Sequence, residues 1–339
     1  MKYRLIGKTG LKASVFSLGS WVNFGNKVTI TDAADMIAYA FSAGINLIDS
    51  AEIYAEGKAE ETIGEAIQRL GIRRDSYILC TKVFWGGPFP TACGLNRKHI
   101  RDGCDASLKR LKTDYIDLFL CHRPDYETPI IETVIAMNTL IASGKILYWG
   151  TSEWPNEKIL EACLEAEKNN LIGPSIEQFE YNMINRTRED YFSVIQERLG
   201  LGLLATMPLA GGILTGKYSK EVPSDSRASI SSQKWMKDYL KTTEGQESIQ
   251  KATRLAALAE KMDLLPGQLA LAWLLRNHRV SSIILGISHK DQITQNISSL
   301  ELSNDLDEDA IKEIEEILAN KPLDRDYVSA SYEEVVAYG

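Results

Sequence analysis

Among the five cysteines, Cys80, Cys93, Cys104, Cys121 and Cys163, there is no Cys-x-x-Cys pair. An odd count without a pairing pattern argues against a disulfide framework and for reduced thiols. Cys80 and Cys121 stand in apolar runs and read as small core residues, whereas Cys93, in a Pro/Gly-rich loop, is the thiol to test for reactivity. Histidine is scarce, and His99, His278 and His289 show no metal-ligand spacing, so no metal site is expected. No apolar run approaches the roughly 18 residues of a membrane span. The opening MKYRLIGKTGLKAS lacks the apolar core of a secretory signal. A cytoplasmic location without membrane insertion is therefore expected. The net charge is −8 and there is no basic block, which disfavours nucleic acid as a partner. GGILTGKY (211–218) has P-loop spacing, but Tyr218 stands where Ser or Thr must reach magnesium, so that reading is discarded. The glycosylation sequons at Asn185 and Asn296 carry no weight without a secretory signal.

What is present is an alternation. Eight short apolar runs, at 15–20, 46–51, 77–83, 116–122, 146–152, 175–181, 202–208 and 282–287, read as strands. Most are separated by amphipathic segments of helical character, such as 31–44 and 156–170. Strand–helix alternation argues a parallel sheet with helices outside. Eight units argue an α/β chain closed into a (β/α)8 TIM barrel. A doubly wound open sheet is the alternative. It would usually carry a Gly-x-Gly-x-x-Gly turn after an early strand, and none is here. With 339 residues and 44% apolar content, a single barrel domain over 1–339 is expected. Outside the eight units stand an N-terminal hairpin around Lys8-Thr9-Gly10, a long polar loop after strand 7 at roughly 217–245, and a C-terminal tail after LANKP.

Four residues at predicted strand ends form a constellation: Asp49, Tyr54, Lys82 and His122. A free tyrosine titrates near pH 10 and is a poor acid at neutrality. The Lys82 ammonium, held by Asp49 through a charge-assisted hydrogen bond, is expected to lower that value. His122 would orient a carbonyl oxygen beside the Tyr54 hydroxyl. Taken singly, the Asp reads as a cap, the Tyr as core and the His as a satisfied polar group. Together they read as a general acid for carbonyl reduction.

The motifs GKTGLKAS, GSWVNFG, NLIDSAEIYAEGKAEE, TKVFWGG, HRPD, YWGTSEW, PLAGGILTGKY, SRAS and GISHKDQITQN follow one another along the chain. In this order they resemble the aldo-keto reductases, and within them the β-subunits of voltage-gated potassium channels and their bacterial relatives. The resemblance implies a barrel with NADP(H) lying extended across its C-terminal mouth, and the quartet as catalytic residues. The channel β-subunits carry asparagine at the place of His122, so the histidine favours a competent enzyme.

The resemblance also assigns cofactor contacts. Ser20 and Trp21 lie near the cofactor with Asp49. The same Trp21 stands at the rim of the substrate pocket, although a tryptophan buried in a barrel end is the other reading. Ser152 and Gln178 match the pair that holds the nicotinamide amide. Pro208, Leu209, Gly211 and Lys217 match the loop under the pyrophosphate. Arg227 matches a phosphate contact. Ser288 and Gln292 are placed at the adenosine 2′-phosphate, with Gln295 and Asn296 at the adenine and Gly286 among the cofactor contacts. Ser288 and Asp291 also fit an ordinary S-x-x-D helix start. Trp85, with Trp21, Tyr54 and His122, would line the pocket of a small carbonyl substrate. Three departures are noted. Thr206-Met207 replaces the Trp-Ser whose aromatic stacks under the nicotinamide, Glu153 replaces an arginine, and Asp225 replaces an aromatic in the lid. Glu153 would either accept from the nicotinamide amide or face solvent. The family implies a homotetramer and, as a second reading, docking on the cytoplasmic domain of a cation channel.

Overall fold

The computed structural model describes residues 1–322, except Asp225 and Asn304. The expected C-terminal tail beyond that point, and the substitution at Asp225, lie outside the described residues. A short antiparallel hairpin, β1 (Tyr3–Leu5) and β2 (Lys12–Ser14), precedes the barrel. The barrel strands are β3 (Phe16–Gly19), β4 (Leu47–Asp49), β5 (Ile78–Val83), β6 (Ile116–Cys121), β7 (Ile146–Ser152), β8 (Ile176–Glu180), β9 (Gly202–Thr206) and β10 (Ser282–Gly286). They close in chain order, β10 pairing with β3, and every barrel pairing is parallel. All eight predicted runs hold a barrel strand, so the (β/α)8 reading is borne out and the open sheet is set aside.

The helices are α1 (Ile30–Ser42), α2 (Lys58–Leu70), α3 (Arg97–Leu111), α4 (Ile130–Ala142), α5 (Asn156–Lys168), α6 (Glu189–Leu199), α7 (Lys234–Tyr239), α8 (Thr243–Lys261), α9 (Pro266–Arg276), α10 (Lys290–Leu302) and α11 (Glu308–Leu318). Their starts follow local capping chemistry. Thr29, Asn96, Thr242 and Asp307 each accept a backbone N–H of the first turn of α1, α3, α8 and α11. The Thr242 cap begins α8 well before the apolar stretch at 255–263, so the end of the predicted loop at 217–245 is helical.

Side chains along a strand alternate between the barrel interior and the helix layer. The interior is accordingly built in layers. Leu47, Ile78, Leu118, Ile176 and Leu204 pack with Ile6 and Ala13 of the hairpin segment, which plug the N-terminal end of the barrel. Two residues further along the same strands stand Asp49, Cys80 and Gln178, and two further still on β5 stands Lys82. The apolar lower layers thus give way to a polar upper layer at the C-terminal mouth.

Candidate active site

Lys82 has no solvent exposure and Asp49 only 3%, so each charge depends on the other. Lys82 Nζ donates to both Asp49 carboxylate oxygens at 2.8 Å and to the Ser50 carbonyl at 2.6 Å. Tyr54 Oη lies 3.4 Å from Nζ and receives the remaining, longer contact. Gln178 Nε2 donates to Asp49 Oδ1 at 2.9 Å. Burial alone would lower the Lys82 pKa; Asp49, with Tyr54 and Cys80, reverses this and holds it above the usual lysine range.

Tyr54 behaves differently from the sequence expectation. Burial raises its pKa, Lys82 opposes this, and the net direction is upward. Lys82 does lower the value, but the expected net lowering is corrected, because desolvation of the phenolate, with the Asp49 charge added, outweighs one ammonium at 3.4 Å. The hydroxyl accordingly keeps its proton at neutral pH. His122 is held well below 6.5 by burial, with Lys82 and Arg123 adding to the effect, and is neutral. Among the described residues its buried Nδ1 has no hydrogen-bond partner. An unpartnered acceptor is cheaper than an unpartnered N–H, so the ring proton belongs on Nε2. The rings of Tyr54 and His122 meet edge to face at 5.8 Å.

All four residues stand at a cavity of about 1560 Å³ in the barrel mouth: Asp49, Tyr54 and His122 line it, with Lys82 immediately beneath. Trp21, Trp85, Ser152, Gln178, Pro208, Leu209, Gly211, Lys217, Arg227, Gly286, Ser288, Gln292, Gln295 and Asn296 also line it. Ser20 does not; it is buried behind the wall and donates to Ser50 Oγ at 3.0 Å. Trp21 is partly exposed at the rim, 6.4 Å from the Tyr54 ring, and is not buried in the barrel end. Gln292 Oε1 accepts from Ser288 N at 2.8 Å and Ser288 Oγ at 3.2 Å, so the start of α10 is closed by Ser288 with Gln292, not with Asp291.

The departures also find places. Met207, with φ of 52°, accepts from Arg227 Nη1 on its sulfur at 2.9 Å. Glu153 lines the cavity, partly exposed, with Oε1 accepting from Glu180 N at 2.8 Å and Oε2 lying 3.6 Å from Arg188. Among the described residues, five non-glycine residues with positive φ line the cavity: Val22, Ala55, Glu56, Glu153 and Met207. Strained backbone gathers where a site imposes shape. Gly211 and Gly212 need their positive φ values of 66° and 101°; a Cβ on Gly211 would lie 2.9 Å from Met236 Sδ, and one on Gly212 would overlap Lys217.

A strand-bound carboxylate–ammonium pair beneath a tyrosine, with a neutral histidine beside it at the barrel mouth, is an arrangement for polarising and protonating an oxygen. The chain matches the model of the aldo/keto reductase family over residues 16–319. The chain belongs to the aldo/keto reductase family. It is an oxidoreductase, and this family generally uses NAD(P)H. Relatives include a probable voltage-gated potassium channel subunit beta of Arabidopsis thaliana, 43% identical over 324 residues, covering 95% of this chain and 98% of the relative. A protein of the same name from Oryza sativa subsp. japonica is 41% identical with the same coverage. Among the described residues, no helix is long and apolar enough to cross a membrane.

Three features of this aldo/keto reductase had no voice in the sequence reading. Glu52 and His99, both 3% exposed, face each other at 3.3 Å behind the loop that carries Trp85. Glu52 Oε1 accepts Phe84 N at 2.6 Å, and His99 Nδ1 reaches Gly94 O at 2.8 Å, so the pair fixes both ends of that loop. Buried Glu177 anchors the turn after β7, accepting from Thr151 Oγ1, from Trp154 N at 3.0 Å and from Arg188 at 3.0 Å. Arg123 lines the cavity next to His122. The HRPD motif was the one available signal for it.

Proposed function

We propose that this chain is an NADPH-dependent carbonyl reductase that converts aldehydes or ketones to alcohols. The observation that carries the proposal is the buried Asp49–Lys82 pair 3.4 Å beneath a Tyr54 hydroxyl that is itself paired with a neutral His122. NADPH, when bound, supplies hydride to the carbonyl carbon. Tyr54 gives its proton to the developing alkoxide, and the Lys82 ammonium stabilises the phenolate left behind. His122 Nε2–H holds the carbonyl oxygen in line. Asp49, braced by Gln178, keeps Lys82 charged and in place.

The cavity fits such a cofactor. It exceeds the usual range of about 300–1,000 Å³ for small-molecule sites. One arm is bare backbone at Gly211 and Gly212, and another ends at the N-terminus of α10, where N–H groups and the helix dipole favour an anion. Ser152 and Gln178 would hold the nicotinamide end. Pro208, Leu209, Gly211, Lys217 and Arg227 would hold the pyrophosphate. Gly286, Ser288, Gln292, Gln295 and Asn296, with Lys290 adding charge, would hold the adenosine 2′-phosphate end, which favours NADP(H) over NAD(H).

Stopped-flow oxidation of bound NADPH on mixing with a panel of small aldehydes, alongside Tyr54→Phe, tests the reading. Fast multiple turnovers lost in the variant support it; no Tyr54-dependent turnover defeats it.

The names of the Arabidopsis and rice relatives favour a second reading. In it the chain is a cytoplasmic subunit, arranged as a tetramer, that docks on a potassium channel and senses NADP(H) redox state. A single slow oxidation with the product cofactor retained, and co-purification with a channel's cytoplasmic domain, are its expected signatures.

A further inference from the structure

The carbonyl end of the cavity holds a cation for which the proposed reaction has no use. Arg123 directly follows His122 and lines the cavity. Its Nη1 donates to the His122 carbonyl at 2.6 Å, and its Cζ stands 5.4 Å over the Trp85 ring. Among the described residues, no ion pair involves Arg123. Its near neighbour Asp125 is committed, accepting from Leu95 N at 2.7 Å, Glu127 N at 2.9 Å and Thr128 Oγ1 at 2.7 Å. Two acids on the wall, Glu153 and Glu180, are committed as well. Glu153 is tied to Glu180 N and Arg188, and Glu180 accepts from Asn182 at 3.1 Å.

The seat of Arg123 is rigid. Trp85 packs on the His122 ring at 5.1 Å. Its loop is closed by Gly86 N to Ala92 O and Gly94 N to Phe84 O, both 2.9 Å, and braced from behind by Glu52 and His99. A Cβ on Gly86 would lie 2.5 Å from His99 Nε2, so the loop lies directly on that pair. A guanidinium carries five N–H donors in a planar fork that matches a carboxylate. One is used on His122 O, and the platform beneath is already in place, which reduces the ordering cost of binding. Arg227 is set apart by its position, 4.8 Å over Trp21 and bonded to Met207 Sδ on the other side of the Tyr54–His122 pair.

We propose that Arg123, seated on Trp85, binds a carboxylate of the substrate, so that the preferred substrates are aldehydes or ketones that also bear a carboxylate. The proposal rests on the carbonyl-reductase reading and narrows it. It is tested with NADPH by comparing kcat/KM for 4-formylbenzoate and its neutral isostere 4-formylbenzamide. The expected result is a preference of at least about tenfold for the carboxylate, carried by KM, which collapses toward unity in Arg123→Met and is partly kept in Arg123→Lys. No preference in the wild type overturns the proposal. So does an equal loss on both substrates in Arg123→Met, because that marks a purely structural role on Trp85. Calorimetric titration with benzoate separates this from the parent reading. If neither aldehyde is reduced but benzoate binds and Arg123→Met abolishes the binding, the carboxylate seat stands and the reductase reading falls. If both aldehydes are reduced and benzoate does not bind, the reductase reading stands and the carboxylate seat falls.

Discussion

Gln178 donates to the same Asp49 oxygen that Lys82 holds, at 2.9 Å, from the opposite side of the barrel wall. One carboxylate therefore joins β4, β5 and β8. Removing either donor should be felt in stability and in chemistry alike. Lys82→Met leaves a buried, uncompensated carboxylate and is expected to cost about 3–5 kcal/mol. Gln178→Leu removes one hydrogen bond to a charged group and is expected to cost about 1.5–3 kcal/mol. Urea denaturation of the two variants checks the order; a Lys82→Met protein as stable as the wild type would contradict the charge assignment.

Tyr54→Phe keeps the ring contacts with Trp21 and His122 and deletes only the hydroxyl, with its 3.4 Å contact to Lys82. Carbonyl turnover is expected to fall by about 10²–10⁴-fold. NADPH affinity, read by fluorescence titration, should stay within about threefold. Loss of cofactor binding in step with turnover would refute the proton-donor role.

The pH profile of reduction follows from two directions. Tyr54 is raised above 10.0, so it stays protonated, and His122 is well below 6.5, so it stays neutral. Steady-state kcat is expected to be flat between about pH 6.5 and 9. A step near 6.5 would mean that His122 titrates in the working range.

Much of this is legible in the amino-acid sequence. A strand buried on both faces must be a short apolar run, so all eight barrel strands announced themselves. The quartet was visible because each member stands at or just past the end of such a run. What could not be read was set by tertiary neighbours. The upward shift of Tyr54 depends on how far its hydroxyl is desolvated, which residue spacing does not encode. Glu52 and His99 are 47 residues apart in the chain and meet only when the loop between them folds back. The early start of α8 hung on a single cap, Thr242, hidden inside a polar stretch.

That Glu52–His99 pair has a pH signature. Burial lowers the His99 pKa, but Glu52 and the Gly94 carbonyl more than reverse this, leaving it raised above 6.5. A raised histidine contributes stability that is fully present below its unfolded value of 6.5 and is lost as pH rises through the folded value. The stability gap between wild type and Glu52→Gln should therefore narrow as pH rises from about 6 to 9. Urea midpoints at several pH values measure it, and a gap that widens would reverse the assignment.

Gly211→Ala forces a side chain onto a φ of 66° with Met236 Sδ 2.9 Å from its Cβ. A loss of about 1–2 kcal/mol is expected from the left-handed backbone alone. If the bare arm of the cavity holds the pyrophosphate, NADPH affinity should fall as well; unchanged affinity would move the cofactor elsewhere.

The layering of the barrel also shapes how this chain can change over time. Along β5, Ile78, Cys80 and Lys82 face the same interior at steps of about 7 Å. At the first position, lineages are free to exchange one aliphatic for another of similar volume and drift without consequence for chemistry. Two steps higher the choice is far narrower, because every replacement except another cation strands the charge of Asp49. Tolerance and intolerance to mutation therefore meet within a single strand, and divergence toward new substrates is channelled into the loops above it, such as the one that holds Trp85.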